Sequence, residues 1–384
     1  MNFNFSEEHK LVQQMARDFA VNKLQPGVIE RDEIQKFPKE LLQEMGELGL
    51  MGMMVSPEYG GGGMDTVSYV LALEEISKWD ASAAVILSVN NSLVCWGLEH
   101  FGTEAQKEKY LRPLASGEII GSFCLSEPEA GSDATQQRTT AIDHGDYYLL
   151  NGTKNWITNA DIASVYMVMA QTDREKKHKG INCLIVERGM EGFELGPKEN
   201  KLGIRGSDTH SLNFNDVKVP KENRLGDDGF GFRFAMKVLN GGRIGIAAQA
   251  LGIASGALDL SLEYANIRKS FGTEIINHQA IQFKLAEMAT EVDAARLLTL
   301  RAAIDKDEGR DYARSAAMAK LYASKTAMFC ADEAIQIHGG NGYVKDYHVE
   351  RMLRDAKITQ IYEGTSEIQK MVIARSLVKE FAKV

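Results

Sequence analysis

The segment Ile361-Tyr362-Glu363-Gly364-Thr365-Ser366-Glu367-Ile368-Gln369 carries the most chemical information in the chain. Glu363 follows two apolar residues, Ile361 and Tyr362, that can shield a carboxylate from water. A desolvated carboxylate holds a proton more tightly than a free one, so this position suits proton abstraction. Ser366 with Gln369 reads as a capping box, which starts the final helix near Glu367 and leaves Glu363 on the loop before it. An ordinary helix-start carboxylate is the competing reading of the same residues.

Four other segments stand out, none decisive alone. Phe123-Cys-Leu-Ser-Glu-Pro-Glu-Ala-Gly-Ser-Asp133 is a strand running into a loop of hydroxyls and small residues. Asn155-Trp156-Ile157-Thr158-Asn159 carries an indole that core packing ordinarily accounts for, but polar neighbours on both sides weaken that reading and suggest a cleft wall. Arg268-Lys-Ser-Phe271-Gly272, followed by Gln279, falls at a break between helices. Gln336-Ile-His-Gly-Gly-Asn-Gly342 ends a helix with three glycines where one would cap it, which suggests a close backbone approach. The glycine clusters at 60–63 and 226–231 lack both phosphate-loop and dinucleotide-binding spacings. Without a Rossmann fingerprint, a redox cofactor must be held in another way.

Composition narrows the classes further. The 384 residues include 44 Lys+Arg and 53 Asp+Glu, a net charge of −9 without a basic cluster. Nucleic acid and anionic membrane surfaces are therefore disfavoured partners. Cys95, Cys124, Cys183 and Cys330 are scattered, as are the 8 histidines, so neither a disulfide framework nor a metal site is expected. Glu7 and Glu8 sit where a signal peptide would be apolar. No run of ~18 uncharged apolar residues is evident, so no membrane span is expected. A cytoplasmic protein, or a mature organellar form, is the expectation.

The elements that must position these residues fall in three blocks. Residues 1–118 read as helices, with the apolar stripe Leu11, Met15, Phe19 behind Ser6 and start signals at Pro38, Asp65, Asp80 and a Thr103–Gln106 capping box closed by Gly117. Residues 119–225 carry short β-rich runs at 119–125, 138–142, 147–150, 165–169, 181–186 and 210–219. A turn at His144-Gly145-Asp146 and a bulge at Asn215–Asp216 fit a compact antiparallel barrel or sandwich. Residues 226–384 return to helical periodicity, with breaks near 271–277, 307–309 and 339–342 that give about four long helices, a bundle by default. Alanine-rich stretches there suit close helix packing.

Together, FCLSEPEAGSD, NWITN, RKSFG, QIHGGNGY and IYEGTSE resemble the motifs of the acyl-CoA dehydrogenase family, in the family's order and spacing. The resemblance runs the length of the chain and is nearest to short-chain, butyryl-CoA-type members. It implies an α+β fold: an N-terminal helical domain, a middle β domain and a C-terminal four-helix bundle.

The resemblance also implies roles. Glu363 matches the catalytic base, which removes the α-proton of an acyl-CoA while the β-hydrogen leaves as hydride to FAD, giving a trans-2-enoyl-CoA. Phe123, Leu125, Ser126 and Ser132 would line the flavin, Trp156 and Ile157 would cover it, and Thr158 would bond near its reactive nitrogen. Arg268, Phe271, Gln279, Gln336, Ile337, Gly339 and Gly340 would hold the distal part of FAD across a subunit interface, with Thr365 and Glu367 completing the site. Ser132, Asn240, Gly242, Arg243 and Gly364 match acyl-CoA contacts. A homotetramer that passes electrons to electron-transferring flavoprotein follows, as a bacterial cytoplasmic or mature mitochondrial matrix enzyme of fatty acid β-oxidation.

Departures from relatives narrow the choice. No carboxylate stands near Gly242, where branched-chain members place their base, and Ala84 stands where glutaryl-type members carry arginine. Asn240 replaces an aspartate common in near relatives. Competing readings are an enoyl-CoA reductase using the same site, an oxidase or monooxygenase on the same scaffold, and a non-catalytic helical interaction protein.

Overall fold

The structure is a computed structural model that describes residues 4–382. Its N-terminal region is helical because capping side chains and apolar periodicity agree there. Ser6 Oγ accepts from the His9 amide at 3.1 Å and starts α1 (Glu7–Phe19). Val12, Ala16 and Phe19 form its buried face, one residue round from the expected stripe, and Leu11 is 71% exposed. Two short helices, α2 (Val28–Ile34) and α3 (Lys39–Glu47), lead to α4 (Thr66–Trp79) and α5 (Ala81–Ser88), capped by Asp65 and Asp80. Asp80 also accepts from the buried Arg31 guanidinium at 2.9 Å, which ties α2 to the start of α5. A π-helical turn, Val89–Cys95, joins α5 to α6 (Trp96–Phe101). The Thr103–Gln106 capping box starts α7 (Glu104–Gln106), and α8 (Arg112–Ser116) closes on Gly117 at φ +78°.

One sheet follows: β1 (Gly121–Cys124), β2 (Thr140–Asp143), β3 (Tyr147–Thr158), β4 (Val165–Gln171), β5 (Ile181–Glu187), β6 (Phe193–Lys198), β7 (Thr209–Pro220) and β8 (Arg224–Leu225). The His144 amide donates to Tyr147 O at 2.9 Å and closes the expected β2–β3 hairpin. The expected bulge is also present. Leu150 pairs with Val217 and Gly152 with Phe214, so β7 carries one extra residue, with Asp216 at φ +54°.

The sheet corrects the antiparallel barrel expectation in two ways. It is mixed, because β1 runs parallel to β4 from Gly121↔Val165 to Cys124↔Val168, and Thr140 bridges Gln171 in parallel. It is also open, its order β6-β7-β3-β2-β4-β5-β8 ending on two different strands. The physical reason lies in β4, whose seven residues are all buried. Val165, Met167 and Met169 face the helical core, while Tyr166, Val168 and Ala170 face a second core with Leu150, Leu212 and Phe214. A strand covered on both faces loses the alternation that marks strand direction.

The C-terminal region comprises α9 (Gly231–Ile267), a small hairpin of β9 (Lys269–Ser270) and β10 (Thr273–Glu274), α10 (Gln279–Asp307), α11 (Ala313–His338), α12 (His348–Ile358) and α13 (Ser366–Phe381). Small residues let α9 lie directly on α4. A Cβ on Gly252 would stand 2.4 Å from Glu74 O, and one on Gly256 would stand 2.6 Å from Lys78 O. By length and hydropathy, Ala81–Phe101 and Gly231–Ile267 are long and apolar enough to cross a bilayer, contrary to expectation. Their most apolar windows are 94% and 83% buried inside the protein, as core helices are.

Candidate active site

Glu363 lies on the loop between α12 and α13, as expected. Both Glu363, at φ +50°, and Gly364, at φ +93°, are left-handed. Such strain persists where surroundings over-determine it, and here three elements do so. Lys320 Nζ on α11 donates to Gly364 O at 2.7 Å. Gln369 Nε2 on α13 donates to Gly364 O at 2.8 Å and to Glu363 O at 3.3 Å. Tyr362 OH donates to Gln249 Oε1 on α9.

The capping expectation here is corrected. Thr365, not Ser366, caps α13, accepting from the Ile368 amide at 3.4 Å. Gln369 is fully buried and turns back to carbonyls that the left-handed loop leaves outside any helix, so it makes no capping box.

The carboxylate itself is enclosed. Glu363 Oε2 is buried with no hydrogen-bond partner. An ideal Cβ at Gly242 would fall 2.1 Å from that oxygen and 2.7 Å from Leu93 Cδ2, so α9 and the π turn both press on it. The expected shield is half right: Tyr362 is half-buried, but Ile361 is 49% exposed and Leu93 takes its place. Burial raises the Glu363 pKa to about 7, against the opposing fields of Lys320 and Arg243. Arg243 is buried, donates to Asn240 Oδ1 at 2.8 Å and leaves Nε without a partner. A carboxylate poised near neutrality, with a free oxygen, is equipped to accept a proton.

A second cluster is assembled by β1 and the end of β3. Asn155 N donates to Ser126 O at 2.9 Å, and Ser122 Oγ donates to Thr158 O at 2.9 Å, which brings the 123–133 and 155–159 segments side by side. Between Lys154 and Ile157 the β3–β7 register slips. That bulge puts Trp156 at φ +61° and turns its indole outward, 62% exposed, while Ile157 is buried. Phe123, Leu125, Ser126 and Thr158 are half-buried, and Ser132 is exposed. An outward aromatic face ringed by backbone and hydroxyl groups fits a planar heteroaromatic ring.

Sequence reasoning missed the pair that holds this loop. Lys154 Nζ, fully buried, bonds Glu127 Oε1 at 2.7 Å and Leu125 O at 3.2 Å. Glu127 in turn accepts from the Arg138 and Thr139 amides at 2.6 and 3.1 Å. Glu127→Gln is expected to cost about 3–5 kcal/mol, because it leaves a buried ammonium without its counter-charge. Denaturant unfolding checks this, and an unchanged midpoint would show that the pair is dispensable.

The π turn joins the two clusters. Asn90 Oδ1 accepts from the Gly121 amide at 3.0 Å, Asn159 Nδ2 donates to Ile86 O at 3.4 Å, and Leu93 lies against Gly242 beside Glu363. π turns occur often at functional sites, and this one, together with Ile86 of α5, touches both clusters.

The remaining candidates lie elsewhere. Arg268, Phe271, Gln279, Gln336, Gly339 and Gly340 are exposed at the far end of the bundle, Phe271 by 98%, while Ile337 is buried. Tyr264 links their two segments, stacking on His338 at 4.2 Å and accepting from Asn341 Nδ2 at 3.0 Å. Among the described residues, no hydrogen bond or ring contact joins this group to Trp156 or Glu363. Thr365 is half-buried and Glu367 exposed at the α13 start.

Comparison with known proteins places the fold. Residues 6–118, 122–217 and 229–378 match the N-terminal, middle and C-terminal domains of acyl-CoA dehydrogenase. The chain is 50% identical over 374 residues to the short-chain specific acyl-CoA dehydrogenase of Clostridium acetobutylicum, covering 97% of this chain and 99% of that one. It is 48% identical to butyryl-CoA dehydrogenase from Megasphaera elsdenii, with a TM-score of 0.97 and coverage of 98% and 100%. A chain in a structure described as the electron transferring flavoprotein of Acidaminococcus fermentans matches at a TM-score of 0.97 and 49% identity, covering 98% and 99%. With its fold, its motifs and its whole length in agreement, the chain belongs to the acyl-CoA dehydrogenase family.

Proposed function

We propose that this chain catalyses the FAD-dependent α,β-dehydrogenation of a short- or medium-chain acyl-CoA to a trans-2-enoyl-CoA. The observation that carries the reading is Glu363: an enclosed carboxylate with a free Oε2 and a pKa raised to about 7. Glu363 takes the α-proton on that oxygen, and the Glu363 backbone N–H polarises the thioester carbonyl as negative charge develops there. Gly242 leaves room for the Glu363 carboxylate against α9, and Leu93 with the Ser88 region would form the floor of the acyl pocket. Ser132, Asn240, Arg243 and Gly364 hold the CoA moiety and thioester.

When bound, FAD supplies the hydride acceptor for the β-hydrogen and an electron path to electron-transferring flavoprotein. Trp156 would cover its ring, Ile157, whose side chain is buried in the second core, would offer only backbone, and Thr158 would bond near the reactive edge, with Phe123, Leu125, Ser126 and Ser132 lining the ring. Thr365 and Glu367 complete that site. Arg268, Phe271, Gln279, Gln336, Ile337, Gly339 and Gly340, remote from this cluster within one chain, serve the site of another copy in a homotetramer. The likeness to a chain in the Acidaminococcus structure supports electron-transferring flavoprotein as acceptor.

Anaerobic mixing with acyl-CoAs from butyryl to palmitoyl tests the reading. Butyryl- or hexanoyl-CoA is expected to bleach the flavin with the highest kcat/KM, and palmitoyl-CoA to be poor. The acid limb of kcat/KM is expected at about pH 7, since only the Glu363 carboxylate is active and it protonates below that value. A colourless protein, or one that no acyl-CoA bleaches, would refute the assignment.

A further inference from the structure

Lys320 was not among the residues singled out in the sequence, and nothing in the fold of α11 calls for a lysine there. It stands on a face of Ala316, Ala319, Ala323 and Ala327, all fully buried, and is itself fully buried. A charged group in such a place is costly unless it is used. Its ammonium bonds the carbonyl of Gly364, the residue after the base, in a loop held left-handed. We propose that Lys320 is a positioning residue for Glu363: its hydrogen bond fixes the loop, and its charge keeps the carboxylate ionised near neutral pH. This rests on the reading of Glu363 as the base.

The groups around Glu363 leave this role to Lys320. Arg243 faces the carboxylate from α9, but it is anchored to Asn240 on its own helix. From α4 comes Tyr69, which is neutral and bonded to Ser88 Oγ at 3.2 Å. Tyr362 on the loop is neutral and engaged with Gln249, with Asp355 of α12 facing it. Glu367 on α13 faces Lys320 from an exposed position. Lys320 is thus the cation bonded to the base loop itself. Burial lowers its own pKa to about 8, so its charge is lost as pH rises through that value. The field is thus present around pH 7, where Glu363 needs it, and is dispensable in alkali, where the carboxylate is ionised without it.

The test uses the FAD-loaded protein, wild type beside Lys320→Gln and Lys320→Met, with kcat/KM for butyryl-CoA followed across pH. Glutamine keeps a donor without the charge, and methionine keeps neither. Both variants are expected to move the acid limb up by at least one pH unit, a loss of about tenfold at pH 7 that is regained in alkali. Lys320→Met alone is expected to speed amide hydrogen exchange in residues 360–366, a readout independent of turnover. An acid limb unchanged in Lys320→Gln would overturn the charge role, and unchanged exchange in Lys320→Met would overturn the positioning role. Failure of the underlying reading shows differently: Glu363→Gln would then still turn over.

Discussion

Replacing Glu363 by glutamine is expected to leave the protein yellow and able to bind butyryl-CoA, while bleaching slows by on the order of a hundred- to ten-thousandfold. The amide has the carboxylate's shape, so contacts with Gly242 and Leu93 survive and the loop keeps its bonds to Lys320 and Gln369. What disappears is the acceptor for the α-proton. The carboxylate is already adapted to that task, since its pKa of about 7 matches neutral operating pH and its Oε2 has no competing donor. Stopped-flow bleaching separates binding from chemistry. A variant that bleaches at the wild-type rate would place the base elsewhere.

Gly242→Ala is expected to be nearly as severe, although alanine is a better helix residue than glycine. Its Cβ would lie 2.1 Å from Glu363 Oε2, well inside contact distance, with Leu93 Cδ2 at 2.7 Å on the other side. Either the carboxylate or the helix must move, and the end of the glutamate side chain yields more easily than the buried backbone of α9. A base displaced by about 1 Å can cost about a hundredfold in rate. The expected result is a loss of about that size in kcat with FAD content unchanged and thermal stability equal or lower. Wild-type kcat in this variant would show that the base has slack.

Much of this site was legible because its parts are local in sequence. Glu363 on a loop, Trp156 facing outward and the caps at Ser6, Asp65, Asp80 and Thr103 all follow from neighbours within four residues. What was illegible depends on distant partners. Lys320 and Glu363 are 43 positions apart, and the sign that could have found the lysine is its place among alanines. The Glu127–Lys154 pair is hidden because a charged residue in a strand ordinarily points to solvent. The parallel β1–β4 pairing escaped because β4 is apolar on both faces, and such a strand carries no mark of its neighbours' direction. The Gln369 error has the same origin, since a capping pattern cannot reveal a loop that claims the amide first.

The length of α9 has a mechanical consequence. At about 1.5 Å per residue, its 37 residues form a beam roughly 55 Å long, with Gly242 roughly 17 Å from one end and Arg268 beyond the other. Close seating on α4 at Gly252 and Gly256 clamps the beam between those two points. A third close seat lies three residues from Gly242, at Gly245, where a Cβ would stand 2.5 Å from Ser88 Oγ and 2.7 Å from Tyr69 OH. A beam pinned there as well cannot pivot about the α4 seats, so bending at the Arg268 end is taken up beyond Gly256 and the gap at the base stays constant.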